Sequence, residues 1–426
     1  MQTTSIHTFG RFRPVILLLM AFSFTQVTAQ ENEKVNLKAL YEQIDEAIAH
    51  SQEYVADREN QIKKQYELFQ NAQSGEQKFL LCEELFALYK PFKNDSALQY
   101  AKLCIQLADS MGRADLAGQY RSLMARQCSN ASMYVESLGL LDQVDKSALD
   151  REGLTDYYDA WMHVCGEIAT YSLIPEVRDR YYALQDHYRD SVLNVADPGG
   201  DEYLHLKMSV LCARKKYQEA LKVSDKWLNK VQEGTHADAY AAYYRHIVYA
   251  NLGNEEMVRF WLAKSALDDI KCAVMDQASL ITLAEQLNYD GDIERSYRYI
   301  RFTWSCNNYF NTRLRSSQIT PVLNVIEKSY QDSIERNTRF LVIASIVFTL
   351  LSLLLFFLFY KVHKQKKNLA KAHTDLVAAN KELAKTNEKL TKMNARITKY
   401  NKQLFDINDE LRKEKESQAE KKEESK

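Results

Sequence analysis

Lys215-Lys216-Tyr217-Gln218-Glu219-Ala220, Gly253-Asn254-Glu255-Glu256-Met257-Val258 and Gly291-Asp292-Ile293-Glu294-Arg295-Ser296 superpose at intervals of 38 residues. Each copy reads as a short turn running into a helix with a compact side chain at its sixth position. Weaker copies upstream put Ala97, Ser137 and Val177 in the same slot. The anchors Ala97, Ser137, Val177, Ala220, Val258 and Ser296 are then spaced 40, 40, 43, 38 and 38 residues apart. Such a unit has room for two helices and little else. The anchor is small because the second helix of a pair must approach the first closely. Twelve residues upstream stand Leu85, Ala125, Cys165, Met208, His246 and Ala284, the expected facing slots on the first helices.

This arrangement resembles the tetratricopeptide repeat, most closely at Tyr217-x-Glu219-Ala220-Leu221, and predicts an all-α fold with a helical-hairpin solenoid over residues 76–320. Only 12 Gly and 5 Pro in 426 residues also favour long helices over a many-turned sheet. Leu37 to Gln70 carry apolar residues at helical spacing, so residues 30–75 are expected to form capping helices. Solenoids of this kind turn their first helices toward a concave surface. Positions 18 and 15 before the anchors should face it, namely Gln119, Ser122, Asp159, Met162, Glu202, His205, Tyr240 and Tyr243. That polar and aromatic set suits a peptide, glycan or protein ligand. The competing reading is that these tyrosines merely cover a surface, since the chain has 26 Tyr.

Downstream, the 21 residues from Phe340 to Tyr360 contain no charged side chain and match a bilayer's hydrocarbon thickness, giving one transmembrane helix over 340–360. Thr320-Pro321 reads as the start of a helical stalk over 321–339. Lys361, Lys364, Lys366, Lys367 and Lys371 follow the span, so the C-terminus is expected in the cytoplasm. Arg11 and Arg13 ahead of the apolar run Pro14 to Phe24, with Val27-Thr28-Ala29 beyond it, read as a signal peptide over residues 1–29. If that run is instead an uncleaved anchor, two spans give the repeats the same sidedness. No Cys follows it to support a lipoprotein anchor.

Beyond the span, Leu369, Leu376, Leu383, Leu390, Ile397, Leu404 and Leu411 stand seven apart. Asn380, Asn387, Asn394, Asn401 and Asn408 occupy the other seam position, with His373 ahead of them. A row of seam Asn lowers stability but fixes register, so residues 361–416 are expected to form a marginal parallel homodimeric coiled coil. Residues 417–426 lose the pattern and are expected to be disordered. From Lys361 onward there are 18 Lys or Arg against 11 Asp or Glu, which suits an anionic inner leaflet. The spread of those charges along a heptad helix, with few aromatics, argues against direct nucleic-acid binding.

No phosphate loop, metal-ligand spacing or nucleophile–base grouping is visible, so neither enzyme activity, a cofactor nor a metal is expected. His163 near Cys165 and His236 near Asp238 read as structural pairs. All seven Cys lie in the exported region. They read mostly as small buried residues, with a disulfide or two as the alternative in an oxidising compartment.

The whole order resembles a Gram-negative bacterial family of membrane regulators. The likeness is carried by Tyr89-Lys90-Pro91-Phe92-Lys93-Asn94-Asp95-Ser96-Ala97-Leu98, by the leading helix around Ile44 to Ile62, and by Leu383-x3-Asn387-x2-Leu390-x3-Asn394. It implies a single-pass inner-membrane sensor with a periplasmic ligand and a cytoplasmic output partner. Members typically continue into a DNA-binding helix-turn-helix, whereas this chain stops at Lys426, so DNA binding is not carried over. The alternative is a membrane-tethered scaffold for an envelope complex.

Overall fold

The protein is described here by a computed structural model covering residues 36–423, so the expected signal peptide lies outside the described residues. Every regular element among the described residues is helical. Two helices lead, α1 (Leu37–Ala49) and α2 (Ser51–Gln70). Six pairs follow: α3 (Gly75–Tyr89) with α4 (Asn94–Ser110), α5 (Ala114–Asn130) with α6 (Tyr134–Leu141), and α7 (Arg151–Tyr171) with α8 (Pro175–Val195). Then come α9 (Asp201–Ala213) with α10 (Tyr217–Leu228), α11 (His236–Leu252) with α12 (Glu255–Lys271), and α13 (Ala278–Asp290) with α14 (Ile293–Phe310). A single helix, α15 (Arg313–Glu423), ends the chain.

The repeat slots are visible in atomic detail. All six facing residues are buried, and so is every anchor except the half-buried Val177. Ser137 Oγ donates to the carbonyl of Ala125 at 2.8 Å, and Ser296 Oγ to that of Ala284 at 2.7 Å. A hydroxyl at the anchor thus bonds the residue twelve positions upstream, which only a closely packed pair allows. Five residues before the anchor the backbone turns left-handed: Ser132, Lys215, Gly253 and Gly291 have φ of 60°, 59°, 72° and 88°. Glycine reaches this region without a Cβ clash, which explains its use in two of the four copies. Asn254 and Asp292 then cap the next helix, accepting from the amides of Met257 and Arg295.

Two expectations need correction. The leading helices do not simply cap the first pair, because the repeat region closes on itself. Tyr41, Ile44 and Ala47 of α1 share one core with Leu262 and Ile270 of α12, Leu283 of α13, Tyr299 of α14 and Ile319, Leu323 and Ile326 of α15. A second core joins α2, α3 and α4 to Ala273, Met275, Cys306 and Phe310. Polar contacts stitch the same seam: Met275 N to Pro91 O at 2.8 Å, Arg58 to Cys272 O at 2.8 Å, and Arg295 to Asp45 at 3.2 Å. The last helix also begins at Arg313 rather than at Thr320-Pro321. Burial of Ile319, Leu323 and Ile326, with Tyr297 and Tyr330 stacked at 4.0 Å, holds this stretch in helix. Pro321 is tolerated on the exposed side, where its missing N–H removes one rung. The first part of the expected stalk is therefore packed.

Residues 334–423 form a separate unit. Helix α15, most of whose length belongs to this unit, is the one helix among the described residues that is long and apolar enough to cross a membrane, its most apolar stretch having a mean hydropathy of 2.9. Helix continues through residues 417–423 to Glu423. Glu, Lys, Gln and Ala are strong helix formers, and pairs such as Arg412–Glu416 add i,i+4 support.

Candidate functional site

The first helices of the pairs bring a chain of polar side chains to their inner face. Arg126 on α5 meets Asp159 on α7 in an ion pair, both partners well shielded from water. Burial opposes the charge on Asp159, but Arg126, with His205 and His163 beyond it, holds the carboxyl below its usual range. One turn earlier on α7, Asp156 accepts from Gln119 Nε2 at 2.8 Å. Burial pushes this second carboxyl up to about 7, with the Gln119 bond and Lys90 offsetting only part of it. Lys90, at the end of α3, touches water yet is ringed by protein charges from Arg126, Asp156, Asp159 and Glu202, and its ammonium is pushed down by burial. Water contact combined with enclosure is what the wall of a deep concavity provides. His163 bonds Ser129 Oγ at 2.7 Å and is driven down to about 3 by burial and by Arg126.

An aromatic cluster adjoins these charges. His205 lies 4.8 Å from Tyr244 and 5.9 Å from Tyr240, and Trp227 stands edge-on to Tyr240 at 5.6 Å. His205 Nδ1 faces the Asp201 carbonyl at 3.1 Å, which assigns the proton to Nδ1 and leaves Nε2 as an acceptor. Tyr240 and Tyr244 on α11 lie within electrostatic reach of Arg126 on α5. Tyr243 sits in a neighbouring group with Arg315 and Asp276, themselves paired at 2.8 Å.

Of the eight groove candidates, Gln119, Asp159, Glu202, His205 and Tyr240 thus join one electrostatic neighbourhood, and Tyr243 stands in the group beside it. Ser122 does not: it is fully buried and donates back to Gly118 O at 3.0 Å, as small hydroxyls do inside helices. Met162 packs on Val192, Ala196 and Leu206 instead. Arg126, Asp156, His163, Tyr244 and Lys90 were missed. Arg126 stands eleven positions before its anchor, on the same stripe one turn further, so an extended periodicity would have found it. Lys90 ends its helix and follows no period. Among the described residues no group of His, Cys, Asp or Glu is placed to hold a metal ion.

The model of the SusR N-terminal TPR domain family matches residues 48–321, well over half of the chain. This chain belongs to that family. The match takes in α2 to α14, and with them the inner face, but not the closing residues Tyr41, Ile44 and Ala47 of α1. Repeats of this type form an interaction fold that is generally non-enzymatic. No curated protein matches the chain. Together with one long apolar helix, a SusR-type domain fits a membrane-associated regulator.

Proposed function

We propose that the SusR-type repeat lies outside the bacterial inner membrane and binds a peptide, glycan or protein ligand on its inner face. The cytoplasmic coil then dimerises and relays or recruits output, and the chain has no enzyme activity of its own. The observation that carries this reading is the Arg126–Asp159 pair set among His205, Tyr240 and Tyr244. A shielded ion pair beside aromatic side chains supplies orientation and contact area for an extended polar ligand. The lysine-rich flank after Tyr360 supports a cytoplasmic C-terminus, because positive charge is retained on that side. The seam residues Leu376, Leu383, Leu390, Ile397 and Leu404 are between 50% and 60% exposed in the single chain, a stripe that a second copy would cover.

Photocrosslinking in cells tests the binding claim. A photoreactive residue at Tyr240 should capture a ligand that one at Tyr289, on the outside and 89% exposed, does not. Equal or absent capture at both sites overturns it. The scaffold reading differs in its output. Replacing Asn387 and Asn394 with Ile should alter the cellular response if the coil signals, and leave it unchanged if the coil only tethers.

A further inference from the structure

Seven thiols are distributed over the repeat region, and two of them meet. Cys82 on α3 and Cys104 on α4 are both fully buried, with Cys104 Sγ donating to Cys82 Sγ at 3.1 Å. Among the described residues this is the one hydrogen bond that joins two thiols. The pair sits in the core that includes Phe79, Phe86 and Tyr120 and that receives Cys306 and Phe310 at the ring closure. A covalent S–S bond measures about 2.05 Å, so roughly 1 Å of relative helix movement separates contact from bond. The other pairs make their close approach at Ser137, Val177, Ala220, Val258 and Ser296, and none of these anchors is a sulfur facing a sulfur.

From this juxtaposition we infer that Cys82 and Cys104 form a disulfide that staples the first hairpin, the one onto which the last repeat closes. The inference rests on the proposed placement of the repeat outside the cytoplasm, where thiols are oxidised. Both S–H bonds break and one S–S bond forms. The two protons and two electrons pass to a thiol–disulfide oxidoreductase, whose own S–S bond breaks as it becomes a dithiol. Exchange requires a thiolate, and the hydrogen bond to Cys82 together with burial makes that form costly at Cys104. The bond therefore forms before α3 and α4 finish docking, and is shielded from reductants afterwards.

The test uses the full chain in cells quenched with acid. Free thiols are blocked in denaturant with one maleimide, disulfides are reduced, and released thiols take a second label read by peptide mass spectrometry. Cys82 and Cys104 should carry only the second label, and an unreduced digest should contain their linked peptides. First label on both overturns the inference. In parallel, a membrane-impermeant maleimide is applied to spheroplasts carrying Leu173→Cys, at a site 98% exposed. Labelling there with free Cys82 and Cys104 rejects the staple but keeps the topology, whereas no labelling rejects the topology. Reductant should lower the melting temperature of the purified protein by about 5 °C or more, and leave that of a Cys82→Ala/Cys104→Ala variant unmoved. An equal response in both also rejects the staple.

Discussion

The closed repeat and the final helix solve the same problem differently. In the repeat, large apolar side chains such as Ile44, Leu262, Leu283 and Ile300 are fully covered by their own chain. Between residues 340 and 411, every large apolar side chain is roughly half exposed or more. Intramolecular burial stabilises the first region, whereas the second presents apolar surface all round over one stretch and along a single stripe over another. In the proposed function lipid covers the first pattern and a second helix the second. Stability changes in the repeat should therefore be intrinsic to the chain, and those in the coil should depend on concentration.

Removing one partner of the buried pair should damage the repeat most. Asp159→Ala leaves Arg126 without its counter-ion and is expected to cost about 3–5 kcal/mol in urea unfolding, at any protein concentration. Ala220→Leu forces the α9–α10 pair apart and should cost about 1–3 kcal/mol. Calorimetry on the purified protein would show both as lower melting temperatures.

The third prediction concerns acid. Asp156 has a folded-state pKa raised by burial to about 7, so its ionisation works against folding as pH rises from about 4 to 7, and the penalty is constant above that. His163 and His246 are pushed down to about 3 and about 4, so their contribution is lost as pH falls below about 6.5. The two effects oppose each other over the same window. Asp156→Asn should raise stability at pH 7 by roughly 1–2 kcal/mol and make the decline toward pH 4 steeper. An unchanged slope would show that Asp156 ionises normally.

Smaller effects sharpen the contrast. Asn387→Ile with Asn394→Ile should stabilise the dimer by about 1 kcal/mol or more per site, seen as tighter association in analytical ultracentrifugation with repeat stability unaltered. Lys215→Gly relieves a left-handed residue on an exposed turn and should add about 0.5–1 kcal/mol to the repeat alone.

Much of the repeat was legible because its constraints are local and recur. The 38-residue superposition placed Lys215, Gly253 and Gly291 in one slot, and the structure gives all three the same left-handed backbone. The serine anchors and their facing alanines were set by spacing alone. Closure was not legible, since Asp45 and Arg295 are 250 positions apart and nothing in either neighbourhood encodes the other. The inner face was partly legible for the same reason. Residues at the counted positions were found, but Asp156 and Arg126 lie one turn beyond them on the same stripe, and Lys90 ends its helix outside any period. Ser122 and Met162 had the right phase, yet helix–helix packing took them inward.

Closure also bears on the order of assembly. Tyr41 emerges from the ribosome early, but the hydroxyl that bonds its carbonyl belongs to Tyr299, 258 positions later. The opening helix must therefore wait, its apolar side uncovered, until nearly the whole repeat has been synthesised. A chaperone that shelters nascent segments would have its longest task at the very beginning of this domain.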